Sequence, residues 1–337
     1  MAEQEANRNN PSAITAVVVT YGDRWQYLAV LLRRLEGDPL VNDIVVIDNA
    51  SHRDIATSCT NAGYNKVQVT RMDRNIGSAG GYKAGIETAN TLANAHIMLF
   101  DDDVVPKPGC LQILQNDFDK LSVEDNPATF ALIPYRDCLH SKISKPSIFD
   151  KHNFLGLNIF TLLQRHFCIK KNIFIGRLTS EVVSYQMGTA YACLYFHKSL
   201  IKKIGLPYPE FVLYYDDVEF TSRILRIGGK IWLSAAAQCE DICKNYSSSL
   251  GSPPFLGYLQ ADSNSKVFYI IRNRVYLDRF VFKRISLFYL INSLILLSGI
   301  TFLGFLTFRA ERVKTIYRAV FAGYKGNMGM HSDYPLT

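Results

Sequence analysis

Phe100-Asp101-Asp102-Asp103-Val104 is the stretch that decides the fold, and it follows the apolar run His96-Ile97-Met98-Leu99-Phe100. The run predicts a buried strand that ends at the acidic residues. Three adjacent carboxylates repel one another and resist burial, so we expect a cation beside them. Mg²⁺ or Mn²⁺ fits, because hard cations bind carboxylate oxygens and keep ligand positions free for phosphate.

The alternation of side chains along a strand divides this acidic triplet. It places Asp101 and Asp103 on one face and Asp102 on the other. Asp101 and Asp103 are therefore the predicted metal pair. The alternative is a solvated turn or a helix cap before Pro106. The rest of the chain weakens that alternative, because other predicted strands also end in polar residues.

Composition restricts the class of protein. The chain has 337 residues, of which 48% are hydrophobic, and this is enough to form the core of one large domain or of two smaller ones. Its net charge is +7. The positive charge suits nucleotides or an anionic membrane surface. No long Lys/Arg block occurs, so nucleic acid is not an expected partner. The seven scattered cysteines favour a reducing compartment over a disulfide framework.

The order of predicted elements indicates an α/β fold. Strand-like runs cover residues 13–21, 43–48, 66–71 and 96–100, with helical patterns at 25–35 and 82–93. This order predicts a mostly parallel sheet, and in such sheets ligands bind beyond the carboxyl ends of the strands. Thr20, Tyr21 and Asp48 lie at such ends, as the acidic triplet does, which predicts a single site. Asp48 could accept hydrogen bonds from a base or ribose, and its alternative role is turn formation.

A glycine-rich segment, Arg74-Asn75-Ile76-Gly77-Ser78-Ala79-Gly80-Gly81, precedes the second helical pattern. It lacks the GK[ST] ending of a P-loop and the spacing of GxGxxG. It could still let the backbone approach a phosphate closely. The alternative is an ordinary loop before a helix.

A second acidic cluster opens another predicted helix. The segment is Tyr214-Tyr215-Asp216-Asp217-Val218-Glu219-Phe220, and the helix ends before Gly228-Gly229. Carboxylates cap helix N-termini well. Two aspartates among aromatic side chains also form a partly apolar pocket, in which a carboxylate can act as a general base.

Three segments are expected to be loops or disordered chain. We expect a disordered lead-in at residues 1–12, a variable insertion or mobile loop at 150–177 and a flexible loop at 245–262.

Residues 285–308 are uncharged and strongly apolar, and about 20 such residues can cross a bilayer. Basic residues flank both ends of this segment, so the positive-inside rule does not predict which end would face the cytoplasm. A span or hairpin, in-plane docking, and a buried core or dimer helix all remain open.

The motifs resemble those of the inverting, metal-dependent glycosyltransferases of family 2, which have the GT-A fold. The resemblance covers roughly residues 13–280. Five segments carry it in the family's order: Val18–Tyr21, Ile47–Asn49, Arg74–Gly81, Asp101–Asp103 and, with Arg223, Asp216–Phe220.

The resemblance implies a role for each segment. It implies that Thr20, Tyr21, Asp48, Asn75, Gly80, Gly81 and Asp102 bind a nucleotide-sugar, that Asp101 and Asp103 hold Mn²⁺ or Mg²⁺, and that Asp217 is the general base with Asp216 beside it. Many relatives carry a histidine metal ligand about 20 residues after the base. This chain has Glu240 at that place, which makes Glu240 a candidate substitute ligand.

The resemblance also implies a layout and a setting. The layout is a catalytic domain at 13–265, with a nucleotide-sugar half at 13–121 and an acceptor half at 122–265, and a membrane-associating helical tail at 266–337. The triplet looks most like that of bacterial galactofuranosyltransferases using UDP-galactofuranose, with dTDP-rhamnose rhamnosyltransferases as the alternative. The implied acceptor is a lipid-linked glycan of a surface polysaccharide, at the cytoplasmic face of the bacterial inner membrane; homo-oligomer formation is open.

Proteins of two other classes share some of these features. A nucleotidyltransferase or phosphotransferase would have acidic metal ligands on an α/β sheet, but it should also show a P-loop or an N-terminal basic motif. An inert membrane scaffold on the same fold would bind a nucleotide without turnover. The intact acidic clusters favour an enzyme.

Overall fold

The computed structural model describes residues 13–140, 152–159, 182–185, 188–243 and 254–336. The lead-in predicted at 1–12 lies outside these residues. So do most of the insertion predicted at 150–177 and the first part of the loop predicted at 245–262.

The N-terminal half alternates strands with helices. Its apolar runs are rich in β-branched residues and form strands, and Leu28, Leu31, Leu32 and Leu35 line the buried face of the first helix. The elements are β1 (Ile14–Thr20), α1 (Trp25–Glu36), β2 (Val41–Asp48), α2 (Ile55–Asn61), β3 (Val67–Arg71), α3 (Gly77–Thr91), β4 (His96–Asp101), β5 (Val104–Pro106) and α4 (Cys110–Leu121).

The second half adds short strands and then only helices. The elements are β6 (Phe130–Arg136), α5 (Asp137–His140), β7 (Val182–Tyr185), β8 (Tyr195–His197), α6 (Ser199–Ile204), α7 (Asp216–Arg226), β9 (Lys230–Asp241), α8 (Pro254–Gln260), α9 (Asn264–Tyr276), α10 (Leu287–Leu306) and α11 (Ala310–Lys325). Single-turn helices cover Pro127–Thr129 and Pro209–Phe211, and a π-helical turn covers Leu277–Val281.

Nine of the described strands form one mixed sheet in the order β3-β2-β1-β4-β8-β6-β9-β5, with β7 paired to β9. The pairs among β3, β2, β1 and β4 are parallel, as predicted. β8 runs antiparallel to β4 and β6, and β9 is parallel to β6 but antiparallel to β5 and β7. The predicted α/β class is confirmed.

Apolar side chains fill both faces of the sheet. One core packs α1 and α4 against it, and the other packs α3, α6 and α7. Covering both faces explains the continuous apolar runs of the parallel strands. A third core joins the C-terminal helices α8 to α11 to one another.

Two element assignments differ from the predictions. Helix α3 begins at Gly77 rather than Tyr82, so the glycine-rich segment is mostly helical. Residues 254–260, which fall inside the flexible loop predicted at 245–262, instead form helix α8, and Pro254 suits the first position of a helix.

Candidate active site

The acidic triplet lies at the carboxyl end of β4, where an arginine meets it. β4 ends at Asp101, so strand alternation does not extend to Asp103. The Arg24 Nε donates to both oxygens of Asp102 at 2.8 and 2.9 Å. Its Nη2 lies 2.7 Å from Asp102 Oδ1 and 2.7 Å from Asp103 Oδ2. The Thr20 hydroxyl donates to Asp102 at 2.7 Å. Arg24 therefore provides a cation beside the triplet, which sequence reasoning missed.

Asp101 faces a buried tyrosine. The Tyr82 hydroxyl lies 2.5 Å from Asp101 Oδ1 and 2.9 Å from the Phe100 carbonyl oxygen. Burial raises the pKa of Asp101, and the hydrogen bond from Tyr82 opposes that rise. Tyr82 thus sets the orientation of this carboxyl group.

Glu240 lies on the strand that pairs with β5, which directly follows the triplet. Its side chain is exposed on β9, opposite Val105 of β5. Its neighbour Asp241, rather than Glu240, forms an ion pair with Arg136.

The side chains that could act as metal ligands limit how a metal ion could bind. Within the described ranges, no group of three or more His, Cys, Asp or Glu side chains is arranged to hold a metal ion. Arg24 nevertheless pairs with only two of the three carboxylates, whereas Asp101 accepts its hydrogen bond from Tyr82, and a hard cation fits the negative charge that remains. Such an ion would need oxygen ligands from a bound phosphate. The metal site stays a prediction.

The second acidic cluster lies at the N-terminus of α7, close to Asp101. Buried Asp216 accepts a hydrogen bond from the Ser78 hydroxyl at 2.8 Å, and Asp217 accepts one from the Val218 N–H at 2.7 Å. Burial, followed by the charge of Asp217, raises the pKa of Asp216 well above its ordinary value. Burial raises the pKa of half-buried Asp217 to about 7, and the negative charge of Asp101 adds to that rise. Asp217 can therefore accept a proton near neutral pH.

A strained loop leads into Asp217. Val212, Tyr214 and Tyr215 have φ values of 67°, 66° and 61°, a left-handed conformation that bulky residues rarely adopt. The buried Asn273 amide of α9 donates to the carbonyl oxygens of Phe211 (2.8 Å), Leu213 (2.9 Å) and Tyr214 (2.7 Å). Helix α9 thus holds residues 211–215 in this conformation.

The glycine-rich segment packs against the same loop. Gly77 has a φ of 77°, and a Cβ there would lie 1.9 Å from the Val212 carbonyl oxygen. Gly80 and Gly81 are buried in α3 against Ile76 and Val19, so close packing accounts for both glycines. The Asn75 side chain accepts from the Gly77 N–H at 3.0 Å.

Asp48 and Asn49 at the end of β2 have different surroundings. Asp48 is buried and accepts from the Ser51 N–H (2.8 Å) and from Arg71 (2.7 Å), as turn formation requires. Asn49 donates to the Gly77 carbonyl oxygen at 3.0 Å and accepts from the Ile76 N–H at 2.9 Å. Sequence reasoning missed Asn49 as a site residue, although its place after a strand end was a usable signal.

These elements surround a cavity of about 130 Å³ that opens to solvent. Of the residues predicted to bind a ligand or metal, Tyr21, Asn75 and Asp101 line it. The C-terminal helices supply the opposite wall, which the sequence did not indicate. The remaining lining residues are Val19, Asn49, Gly77, Ser78, Tyr82, Leu213, Tyr214, Ser263, Ser265, Lys266, Pro335 and Leu336.

Comparison with known families supports the resemblance for the N-terminal part of the chain. Residues 15–172, slightly less than half of the chain, match the family described as Glycosyl transferase family 2. No curated protein sequence matches significantly.

Solved structures show the fold. The structure described as GalNAc-T7 with UDP, GalNAc and Mn²⁺ is 13% identical, with a TM-score of 0.55 over 80% of this chain and 48% of that one. The chain thus spans about half the length of GalNAc-T7, and the likeness confirms the predicted GT-A fold. Residues 1–349 of TarS from S. aureus are 12% identical over 93% of this chain and 92% of that one, but their TM-score of 0.42 adds no argument.

Proposed function

We propose that this chain is an inverting glycosyltransferase that moves a sugar from a nucleotide-sugar to a hydroxyl group. One observation carries the proposal. The Asp217 carboxyl, whose pKa burial raises to about 7, lies close to Asp101, and Asp101 lines a cavity with three tyrosines, although Asp217 itself is not a lining residue. This arrangement suits one general base beside an anionic leaving group. The match of residues 15–172 to family 2 glycosyltransferases supports the same reaction class.

Asp217 acts as the base in a single displacement. Its carboxylate takes the proton of the acceptor hydroxyl as that oxygen attacks the anomeric carbon. The new carbon–oxygen bond forms on the face opposite the breaking bond to the diphosphate, which leaves with the electron pair. The anomeric configuration inverts, and one base suffices. Asp216, held by Ser78, orients the acceptor.

The cavity walls divide the work of donor binding. Tyr21 and Tyr214 offer ring faces to a base or sugar, and Asn75 offers polar atoms beside them. Lys266 brings a positive charge for the diphosphate. Thr20, Asp48, Asp102, Gly80 and Gly81 support these walls from inside.

Asp101 and Asp103 would hold Mn²⁺ or Mg²⁺ together with the donor phosphates. A divalent ion there would neutralise charge on the departing diphosphate. Arg24 already neutralises part of Asp102 and Asp103, so it shares this task. The exposed position of Glu240 does not favour it as a third ligand.

The donor we propose is UDP-galactofuranose, with dTDP-rhamnose as the alternative, and the acceptor is a lipid-linked glycan. The resemblance of the acidic motifs supports this choice, and the UDP bound in the GalNAc-T7 structure is consistent with a uridine nucleotide. A lipid-linked acceptor places the reaction at the cytoplasmic face of the bacterial inner membrane.

The test is nucleoside-diphosphate release by detergent-purified protein across UDP- and dTDP-sugars, with Mn²⁺ or EDTA and with lipid-linked acceptors. We expect turnover with one donor, lost in Asp217→Asn and Asp101→Asn and kept in the surface control Glu124→Gln. Turnover that persists in Asp217→Asn would reject the assigned base. If the parent keeps full activity in EDTA and Arg24→Ala loses it, Arg24 rather than a metal ion neutralises the charge of the departing diphosphate.

A second candidate function is a non-catalytic scaffold that binds a nucleotide-sugar. The occupation of Asp102 and Asp103 by Arg24 favours it, because the triplet is then less open to a metal ion. Tight UDP binding by calorimetry, without turnover of any donor, would establish the scaffold.

A further inference from the structure

Helix α10 carries large apolar side chains on its exposed side as well as on its buried side. Among the described residues it is the helix long and apolar enough to cross a membrane. One narrow face, formed by Tyr289, Asn292, Leu296, Ile300 and Gly304, is buried against the protein. The polar member of that face is bound inside, because the Asn292 amide donates to the His152 carbonyl oxygen (2.7 Å) and accepts from the Ile159 N–H (3.1 Å).

The opposite side of α10 carries large apolar side chains and no charge. Leu294 is 68% exposed and Phe305 is 79% exposed. Two hydroxyl groups on or beside this side are satisfied within the helix. Ser293 donates to the Leu290 carbonyl oxygen (2.7 Å) and Thr301 to that of Leu297 (2.8 Å). These groups therefore need no water, as a hydrocarbon environment requires. The exposed apolar residues are Leu287, Phe288, Leu290, Ile291, Leu294, Ile295, Phe302, Phe305 and Leu306.

Helix α11 extends this surface and borders it with positive charge. The Tyr317 hydroxyl lies 2.9 Å from the Thr301 hydroxyl of α10. Tyr317 thus adjoins the exposed side of α10, and Phe321 and Tyr324 follow it at helical spacing. The bordering cations are Lys283, Arg309, Lys314, Arg318 and Lys325, all exposed. Two of them pair with exposed carboxylates, Lys314 with Glu311 at 3.7 Å and Arg318 with Asp333 at 3.1 Å, so positive charge remains in excess. Aromatic side chains beside cations favour the headgroup region of an anionic bilayer.

Helix α10 is attached to the protein along its whole length. Near its start, the Tyr289 hydroxyl bonds Asp278 at 3.3 Å. Near its end, a Cβ on Gly304 would lie 2.2 Å from the Val313 side chain of α11. A perpendicular span would pull α11, with exposed Glu311 and Lys314, into hydrocarbon, which is costly. A helix held in this way lies parallel to the membrane plane.

We propose that the exposed side of α10, with the aromatic side of α11, docks in the plane of an anionic lipid bilayer without crossing it. This inference and the proposed function share one element, the proposed lipid-linked acceptor. The tests below read lipid binding without turnover, so either proposal can fail alone.

The first test is flotation of the purified chain with vesicles of phosphatidylethanolamine and phosphatidylglycerol, compared with phosphatidylcholine alone. We expect binding to the anionic vesicles, weakened roughly tenfold in Leu294→Ser/Phe305→Ser. The control Val123→Ser, at a position 84% exposed, should bind as the parent does. Unchanged binding of the double variant would overturn the proposal. So would a dimer in light scattering that the same substitutions dissociate, because a second copy would then cover this surface.

The second test separates in-plane docking from a span. Single Trp substitutions at Leu287, Leu294 and Phe305 are quenched with lipids brominated near the headgroup or at mid-chain, after subtraction of the parent signal from Trp25 and Trp232. In-plane docking predicts equally shallow quenching at the three sites. Deep quenching at Leu294 with shallow quenching at both ends would establish a span and overturn the proposal.

Discussion

At the residue scale, burial raises the pKa of several carboxyl groups of the candidate site. Burial raises the pKa of Asp102 to about 6 and that of Asp217 to about 7. A carboxyl whose pKa is raised on folding stabilises the fold at low pH, and that contribution is lost as the pH rises through the folded pKa. Both groups therefore make the protein less stable between about pH 4 and pH 7 as the pH increases. The same burial makes Asp217 a base at neutral pH.

The pH dependence of turnover tests Asp217. Because the base must be ionised, we expect kcat/KM to rise tenfold per pH unit below the Asp217 pKa of about 7 and to be constant above it. Asp217→Asn should lower kcat by about 10²–10⁴. It should also raise Tm by roughly 2–5 °C at pH 8 and less at pH 5, because it removes a buried charge. A flat profile between about pH 5.5 and pH 8 would exclude this residue as the base.

Arg24→Ala tests the charge balance at the triplet. The change leaves Asp102 and Asp103 without their guanidinium, so we expect a loss of roughly 3 kcal/mol in the free energy of unfolding at pH 8. The loss should be smaller at pH 5, where Asp102 is protonated. Mn²⁺ should raise the Tm of this variant more than that of the parent. Arg34→Ala, exposed on the same helix, is the control. Equal Mn²⁺ effects in all three proteins would argue against a metal ion at the triplet.

At the element scale, the position of Asp217 depends on three elements that meet at the loop 211–215. Helix α7 follows this loop and carries Asp217 in its first turn. Helix α3 contacts the loop through Gly77, and the Ala79 N–H donates to the Val212 carbonyl oxygen at 3.3 Å. Helix α9 holds the loop from the other side through Asn273. The strained backbone persists because both sides constrain it.

Asn273→Ala tests this arrangement. The change leaves the carbonyl oxygens of Phe211, Leu213 and Tyr214 without the amide, at a cost of about 2–4 kcal/mol in the free energy of unfolding. We expect kcat to fall at least tenfold, because a small displacement of the base is costly, while Asn264→Ala on the same helix has no effect. Unfolding midpoints and kcat are measured together. A lower midpoint with unchanged kcat would restrict Asn273 to a role in stability.

At the scale of the whole molecule, the cavity lies between the sheet and the C-terminal helices. The end of the chain folds back on α9, where the Tyr269 hydroxyl donates to the Tyr334 carbonyl oxygen at 2.9 Å. This contact brings Pro335 and Leu336 to the cavity opposite Asp101. Lys266, near the start of α9, lines the same wall. The C-terminal helices thus serve both the cavity and the proposed membrane surface.

Lys266→Ala tests the contribution of the C-terminal helices to donor binding. We expect the Kd for UDP to rise roughly 3- to 10-fold, more at low than at high salt, since an exposed lysine acts on a diphosphate through a screened charge. Calorimetry at two salt concentrations measures this, with Lys203→Ala on α6 as the control. An unchanged Kd would move Lys266 out of the donor site.

Most elements of the sheet and several site positions were predictable from the sequence. β1, β2, β4, α1 and α7 follow from local periodicity, and their ends follow from turn residues. Tyr21, Asn75 and Asp101 were predicted as site residues because polar groups at the ends of parallel strands converge, and the structure places all three at the cavity. Sequence reasoning missed Arg24, Asn49 and Lys266. The strand end was a usable signal for Asn49, but nothing in the local pattern marks Arg24 or Lys266 as a partner of the site.

The sequence alone determined the α/β class, the mostly parallel character of the N-terminal strands and the two acidic clusters. These features depend on side-chain period and on chemistry within a few residues, so they can be read locally. Only the tertiary structure decided that Arg24 meets Asp102, that Asn273 holds the loop before Asp217 and that the C-terminal residues close the cavity. Those contacts join residues that are far apart in the chain. The packing of whole elements selects them, and no local pattern encodes it.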